Sequence, residues 1–134
     1  MASPSYRRPT ASLQPEELLE GIRQFNSWRF YECHETLEDL WLAEDDPELR
    51  GLYHGLIKLA AGFHHLLRNN YRGALSLWEG GLMLLRPLRP SRLGVDVEGL
   101  VAAVERCDET LRSLGPDRSG EFDRSLIPAI ELLR

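Results

Sequence analysis

The sequence predicts an all-α protein, a single compact bundle of about five helices with a C-terminal tail docked on it. Three observations lead there. Apolar residues recur at three- and four-residue spacing in five successive segments. No segment alternates apolar and polar side chains as a half-buried strand would. Caps and prolines punctuate the segments, at Pro15, Asp46-Pro47, Asp96 and Gly115-Pro116. The chain has 134 residues, 43% hydrophobic and 28% charged, which is the composition of one globular domain with a real core. The expected organisation is a disordered lead over residues 1–12, a helical domain over 13–115 and a tail over 116–134 that packs on it.

Residues 1–12, MASPSYRRPTAS, carry Pro, Ser and Arg without an apolar period. The first helix starts at Pro15, with Glu16 and Glu17 at the positive end of its dipole and a stripe of Leu18, Leu19, Ile22 and Phe25. Asn26-Ser27 breaks it. The second runs from Trp28 or Phe30 to Ala43. The third opens on the Asp46 cap and Pro47 and stops at Asn69-Asn70. Its interior holds Gly51, Gly55 and Gly62, each costing about 1 kcal/mol relative to alanine, so a close helix neighbour or ligand space is expected there. The fourth spans Arg72 to Leu85 and ends before Pro87. The fifth follows Asp96 and carries Leu100, Val101, Val104, Cys107, Leu111 and Leu114. In the tail, Leu126, Ile127, Ile130 and Leu132 are the docking groups. Cys33 and Cys107 fall on apolar faces and read as reduced core residues.

A net charge of −5 argues against general nucleic-acid binding. No apolar run could span a membrane, and the expected location is cytoplasmic, or plastid if the lead is the remnant of a targeting peptide. Between residues 30 and 49 there are eight acidic side chains and no basic one, whereas Glu79 is the sole acid among seven bases over 50–92. The expectation is two neighbouring elements that attract each other at their edges.

Chemistry concentrates in FYECHETLEDLW, residues 30–41. On a helical wheel Phe30, His34, Leu37 and Trp41 share a face, Cys33 and Leu40 flank it, and Glu38 lies one turn beyond His34. His34 and Glu38 are the catalytic candidates, as an acid/base pair, and are expected to share a hydrogen bond directly or through one water. His34, Glu38 and His65 are the candidate ligands if a divalent metal binds. HETLE lacks the second histidine of HExxH, and Tyr31 stands where a di-iron Glu-x-x-His pair needs its carboxylate. Trp41, His54 and Asn70 are the remaining binding candidates. The reading favoured is a binding or interaction module, with a structural His–Glu polar core, for a protein or small-molecule partner, with homo-oligomers compatible. The alternative is a metal- or small-ligand-binding domain with hydrolase-like chemistry at His34, Glu38 and His65.

Two stretches in order, FNSWRFYECHETLEDLW and LYHGLIKLAAGFHHLLRNNYRGAL, resemble the Domain of Unknown Function 309 family. That family's pattern is Phe-Asn, then Tyr/Phe-x-x-His-Glu-x-x-Glu-x-x-Trp, a Gln-Gly-Leu-Ile-Gln-like helix, and a His before a Gly-Asn-x-x-Gly-Ala turn. The matching positions here are Phe25, Asn26, His34, Glu35, Glu38, Trp41, Gly55, His65, Asn70, Gly73 and Ala74, within residues 25–85. His54 stands where the family usually has Gln, and Asn69 where it usually has Gly. The resemblance implies a compact all-helical domain and lends no activity.

Overall fold

Asp46 accepts a hydrogen bond from the Leu49 amide at 3.0 Å, and Pro47 fills the first turn, where its missing N–H costs nothing. The longest helix starts there. The structure is a computed structural model that describes residues 14–133, so the lead expected over 1–12 lies outside the described residues. Five helices follow in order: α1 (Glu16–Asn26), α2 (Phe30–Ala43), α3 (Pro47–Leu67), α4 (Tyr71–Leu85) and α5 (Val97–Leu114). Asn70 and Asp96 cap α4 and α5, accepting from Gly73 at 3.0 Å and Gly99 at 2.9 Å. Short 3-10 turns occupy Arg86–Leu88, Pro116–Glu121 and Arg124–Leu126.

One element departs from the expected absence of strands. Ser91–Arg92 (β1) pairs antiparallel with Val95–Asp96 (β2), Ser91 opposite Asp96 and Arg92 opposite Val95. Two residues per strand are too few to show alternation. The turn between them has left-handed Leu93 (φ 53°) and Gly94 (φ 81°), the backbone that a two-residue hairpin requires. Asn69 is left-handed too (φ 60°), which explains why this turn takes Asn or Gly.

The α3 helix is the centre, with α2 on one side and α4 on the other; α1 packs on α2, and α5 on α4. Glycines set the α3–α4 spacing. A Cβ on Gly55 would meet the Leu85 side chain at 2.6 Å and the Gly81 carbonyl at 3.3 Å, and one on Gly81 would meet the Gly55 carbonyl at 3.0 Å. A Cβ on Gly62 would collide with the Trp78 indole and meet the Ala74 carbonyl at 3.2 Å. Gly51 has nothing within 4 Å, so close packing accounts for Gly55 and Gly62 and not for Gly51.

Trp78 is fully buried, and its ring lies 4.9 Å from that of Phe63. Phe63 meets Phe25 edge-on at 5.9 Å and Phe30 face-on at 5.6 Å, so one aromatic cluster ties α1 through α4 together. Cys33 and Cys107 are buried free thiols, and burial pushes both up to about 12.

The tail closes the fold. Ile127 and Ile130 are buried, while Leu132 is 40% exposed. Leu132 bridges to Val95, the Asp96 amide donates to the Glu131 carbonyl at 3.0 Å, and the Leu133 amide donates to the Gly94 carbonyl at 2.7 Å. At the other end of this segment the Asn26 side chain accepts from the Ile130 amide at 2.7 Å and donates to its carbonyl at 3.0 Å. Asn26 thus holds the tail as a strand neighbour would, a role beyond the helix break read from sequence.

Gly55→Leu is expected to destabilise by about 3 kcal/mol or more, because the added side chain must displace α4. Gly51→Ala should stabilise by about 0.5–1 kcal/mol, its methyl group entering open space on a helix. Urea titration of both variants checks the contrast; equal effects would remove the close-packing account. Asn26→Ala should cost about 1–3 kcal/mol and raise amide exchange over residues 126–133, since two partly buried hydrogen bonds are lost.

Candidate functional site

Between α2 and α3 lies a half-open cleft of about 220 Å³, lined by Phe30, Tyr31, His34, Ala61, His64 and His65. Each helix contributes from one face: positions 30, 31 and 34 from α2, and 61, 64 and 65 from α3. Phe30 forms the floor through the aromatic cluster. Ala61 leaves the gap that a larger side chain would close. Tyr31, 56% exposed, stands at the mouth with its ring 6.4 Å from His34 and 6.1 Å from His64.

His34 is half-buried and belongs to this cleft. It makes no direct hydrogen bond to Glu38 among the described residues, in contrast to the direct arm of the sequence expectation. The buried residues of α2 are Phe30, Cys33 and Leu37, so its core line runs closer to Cys33 than the wheel placed it. The cause is that α2 packs on α1 as well as α3, with Leu37 seated against Gly21 of α1. That turns His34 to the edge facing α3. Glu38 is half-buried beside it, outside the cleft lining, where water can solvate a carboxylate.

His65 lines the cleft but is engaged from behind. The Asn70 carbonyl oxygen takes the Gly73 amide, so the Asn70 nitrogen faces His65 Nδ1 at 2.9 Å and donates to it. The neutral imidazole then carries its proton on Nε2 and offers the cleft a donor, not a lone pair. A Cβ on Gly73 would meet both side chains, at 2.7 and 3.0 Å, so the Asn-x-x-Gly-Ala turn is built around this contact. Asn70 is therefore a helix cap and positions His65.

Trp41 is half-buried near the C-terminal end of α2, packed against the edge of the core and not inside it. His54 stacks on it with ring centroids 4.4 Å apart. Arg50 covers it at 5.3 Å and donates to the Trp41 and Glu44 carbonyls at 3.1 and 3.0 Å, closing the C-terminal end of α2. Trp41 and His54 thus form a separate stack, remote in the sequence pattern from the cleft lining. His64 is a cleft residue absent from the candidates that the sequence offered. Its signal was spacing: Ala61, His64 and His65 stand at i, i+3 and i+4, and so share a face.

The electrostatics are uneven. The Glu35 carboxylate beside the Tyr31 phenol raises it above the ordinary range, with Glu38 adding to this. Burial lowers His64 below its usual value, and Arg68 and His65 act in the same direction against Glu32. Burial lowers His54 also, reinforced by Lys58 and Arg50. Elsewhere the segregated charges meet: Arg92 pairs with Glu48 at 2.9 Å and lies 3.8 Å from Asp46. A second depression of about 260 Å³ between α4 and α5 is lined by the Arg86–Glu105 and Arg112–Asp108 ion pairs with Glu79 and Leu82. No group of three or more His, Cys, Asp or Glu side chains placed to hold a metal ion occurs among the described residues.

A five-helix domain with an aromatic cleft between its second and third helices is the class of protein that this geometry defines. Residues 18–77 match the family model of the Domain of unknown function (DUF309), the family that the paired motifs resemble. The chain is 29% identical over 111 residues to the uncharacterized protein YpuF of Bacillus subtilis (strain 168), an alignment covering 80% of this chain and 63% of that protein. It is 26% identical over 94 residues to an uncharacterized protein of Aquifex aeolicus (strain VF5), covering 70% of this chain and 28% of that one. The chain thus spans less than two thirds of the length of either relative. No helix of the described residues is long and apolar enough to cross a membrane.

Two histidines, His64 and His54, are harder to protonate in the folded chain than in the unfolded one. Their contribution to stability is complete above the unfolded value of about 6.5 and declines as pH falls through it towards the folded values. The urea midpoint should therefore be level near pH 7.5 and drop as pH falls below about 6.5. The double variant His54→Gln/His64→Gln should flatten that slope; an unchanged slope would assign it to other groups.

Proposed function

We propose that this domain is a binding module whose ligand seat is the cleft between α2 and α3. The observation that carries the reading is the cleft lining itself: five rings and one alanine around about 220 Å³. In a bundle packed closely enough to exclude a β-carbon at Gly55 and Gly62, this gap is kept open by a small residue, Ala61, at its centre. The volume falls below the range usual for drug-sized ligands and suits a group the size of one amino-acid side chain. The rings supply apolar contact, and His65 Nε2–H supplies a fixed donor. Both uncharacterized relatives are longer than this chain, which supports a module that works beside other segments.

The same geometry weighs on the alternatives. Acid/base catalysis would call on His34 and Glu38 as a bonded pair, and they share no direct hydrogen bond among the described residues. A divalent metal would call on lone pairs converging at one point, and His65 presents a proton instead. The conclusion is a binding domain centred on His34, His64 and His65, with Tyr31 at its mouth.

Four side-chain-sized probes test this: p-cresol, butylurea, pentanoate and butylguanidinium, with zinc as a fifth. At least one organic probe should shift the imidazole resonances of His34 and His64 and the ring resonances of Tyr31 saturably. Ala61→Leu, which fills the cleft, should abolish the shifts while the amide spectrum shows a retained fold. Zinc should leave the melting temperature unchanged. Silence from all four organic probes overturns the binding reading, and a zinc-dependent rise lost in His34→Gln would restore the metal site.

A further inference from the structure

Resting on that reading, we infer that the group seated in the cleft is Tyr31 of a second copy of this chain, in a two-fold dimer formed through the α2–α3 face. That face is open along its whole length. Gly51, His54, Lys58, Ala61 and His65 recur at three- and four-residue spacing on one stripe of α3, and each is half-buried. A Cβ on Gly51 would find nothing within 4 Å. Beside this stripe His34, Glu38 and Trp41 form a half-buried stripe of the same kind on α2. At the outer edge of α2, three turns apart, Tyr31 and Leu42 are 56% and 64% exposed.

The charges of this face suit a copy of itself. The α2 helix carries four acids, Glu32, Glu35, Glu38 and Asp39, and no lysine or arginine. From Arg50 to the C-cap Arg68, α3 carries three bases and no acid. Among the described residues no ion pair joins the two sets. Arg50 is turned to the Trp41 and Glu44 carbonyls, and Lys58 leans towards α4, where a Cβ on Gly80 would meet its Cδ at 3.1 Å. The helices run antiparallel, with Tyr31 level with His64 and Trp41 level with His54. Glu38, one turn before Trp41, is therefore level with Lys58, one turn beyond His54. A two-fold axis along the groove lays α2 of each chain over α3 of the other at the same level. An acidic strip then meets a basic strip twice, with Glu38 of each chain over Lys58 of the other.

The same operation brings Tyr31 of each chain over the cleft of the other, because Tyr31 is level with His64 and the cleft opens at that level. A cleft of about 220 Å³ has room for a phenol ring, and the His65 Nε2–H is a donor for the phenol oxygen. The exposed Tyr31 thereby loses water-facing apolar surface in both chains. With 21 residues, α3 is about 30 Å long, and two helices side by side are about 20 Å wide, so the face offers about 600 Å² to each copy. That lies at the low end for specific interfaces and sets the expectation of a weak, salt-sensitive dimer.

Sedimentation equilibrium of the full chain tests this. Between about 5 and about 500 µM at low salt the mean mass should rise from the monomer towards twice that value, and about 0.5 M salt should reverse the rise. Free p-cresol, which carries the Tyr31 ring, should compete and lower the mean mass. Glu38→Lys and Lys58→Glu should each weaken the dimer about ten-fold or more, with amide spectra that show a retained fold. Mixing the two variants should restore it, because a mixed pair again sets acid against base at both contacts; a role confined to one chain gives no such recovery. In a sample of half-labelled chains, the Tyr31 ring should show a nuclear Overhauser contact to the Ala61 methyl group of the other chain. A dimer indifferent to both charge reversals, no recovery on mixing, or a dimer without the Tyr31–Ala61 contact overturns the inference. A chain that stays monomeric yet binds p-cresol overturns the dimer while the binding module stands. A monomeric chain silent to every organic probe overturns both.

Discussion

The close approach of α3 to α4 is the contact on which the rest of the structure depends. Two backbones can come this near only where side chains are missing, and Gly55, Gly62 and Gly81 provide the gaps into which Leu85, Trp78 and Leu59 fit. Each glycine is unfavourable for a helix taken alone, by about 1 kcal/mol relative to alanine. The contact offsets that by burying Trp78 completely and by joining it to the aromatic cluster of Phe25, Phe30 and Phe63. The cost is visible at the indole nitrogen of Trp78, a buried donor without a hydrogen-bond partner among the described residues.

The opposite side of α3 is packed differently. Towards α2 a cleft opens where Phe30, Tyr31, His34, His64 and His65 meet around Ala61. The cleft and the tight seam are thus two faces of one helix. The tight seam on one side fixes where Ala61, His64 and His65 stand on the other. The left-handed Asn69 and the Asn70 cap complete this support, since the turn they form orients His65 from outside the cleft.

Most of the motif shared with the family turns out to hold the fold together. Asn26 pins the tail, Gly55 admits α4, Asn70 and Gly73 build the turn, and Phe25 sits in the aromatic cluster. His34 and His65 alone among these positions face the cleft, with Glu35 and Glu38 near its rim. This division explains how one pattern can mark both a fold and a site. The residues between the motif positions, such as Tyr31 and His64, complete the lining.

What the amino-acid sequence determined by itself was local. Periodicity placed five helices, with ends within about two residues of those found, and Asp46, Asp96 and Gly115 marked boundaries because caps act over a single turn. The burial of Cys33 and Cys107 followed from the same wheels. Tertiary structure decided everything that needed a neighbour. A wheel gives a direction about a helix's own axis and cannot say that α2 must serve α1 and α3 together, which is why His34 moved to an edge and Trp41 to a half-buried stack. Nor can it distinguish Gly51, which faces open space, from Gly55, which faces Leu85. The pairing of Asn26 with Ile130 and the meeting of His34 with His64 join residues distant in the chain, and only packing brings such residues together.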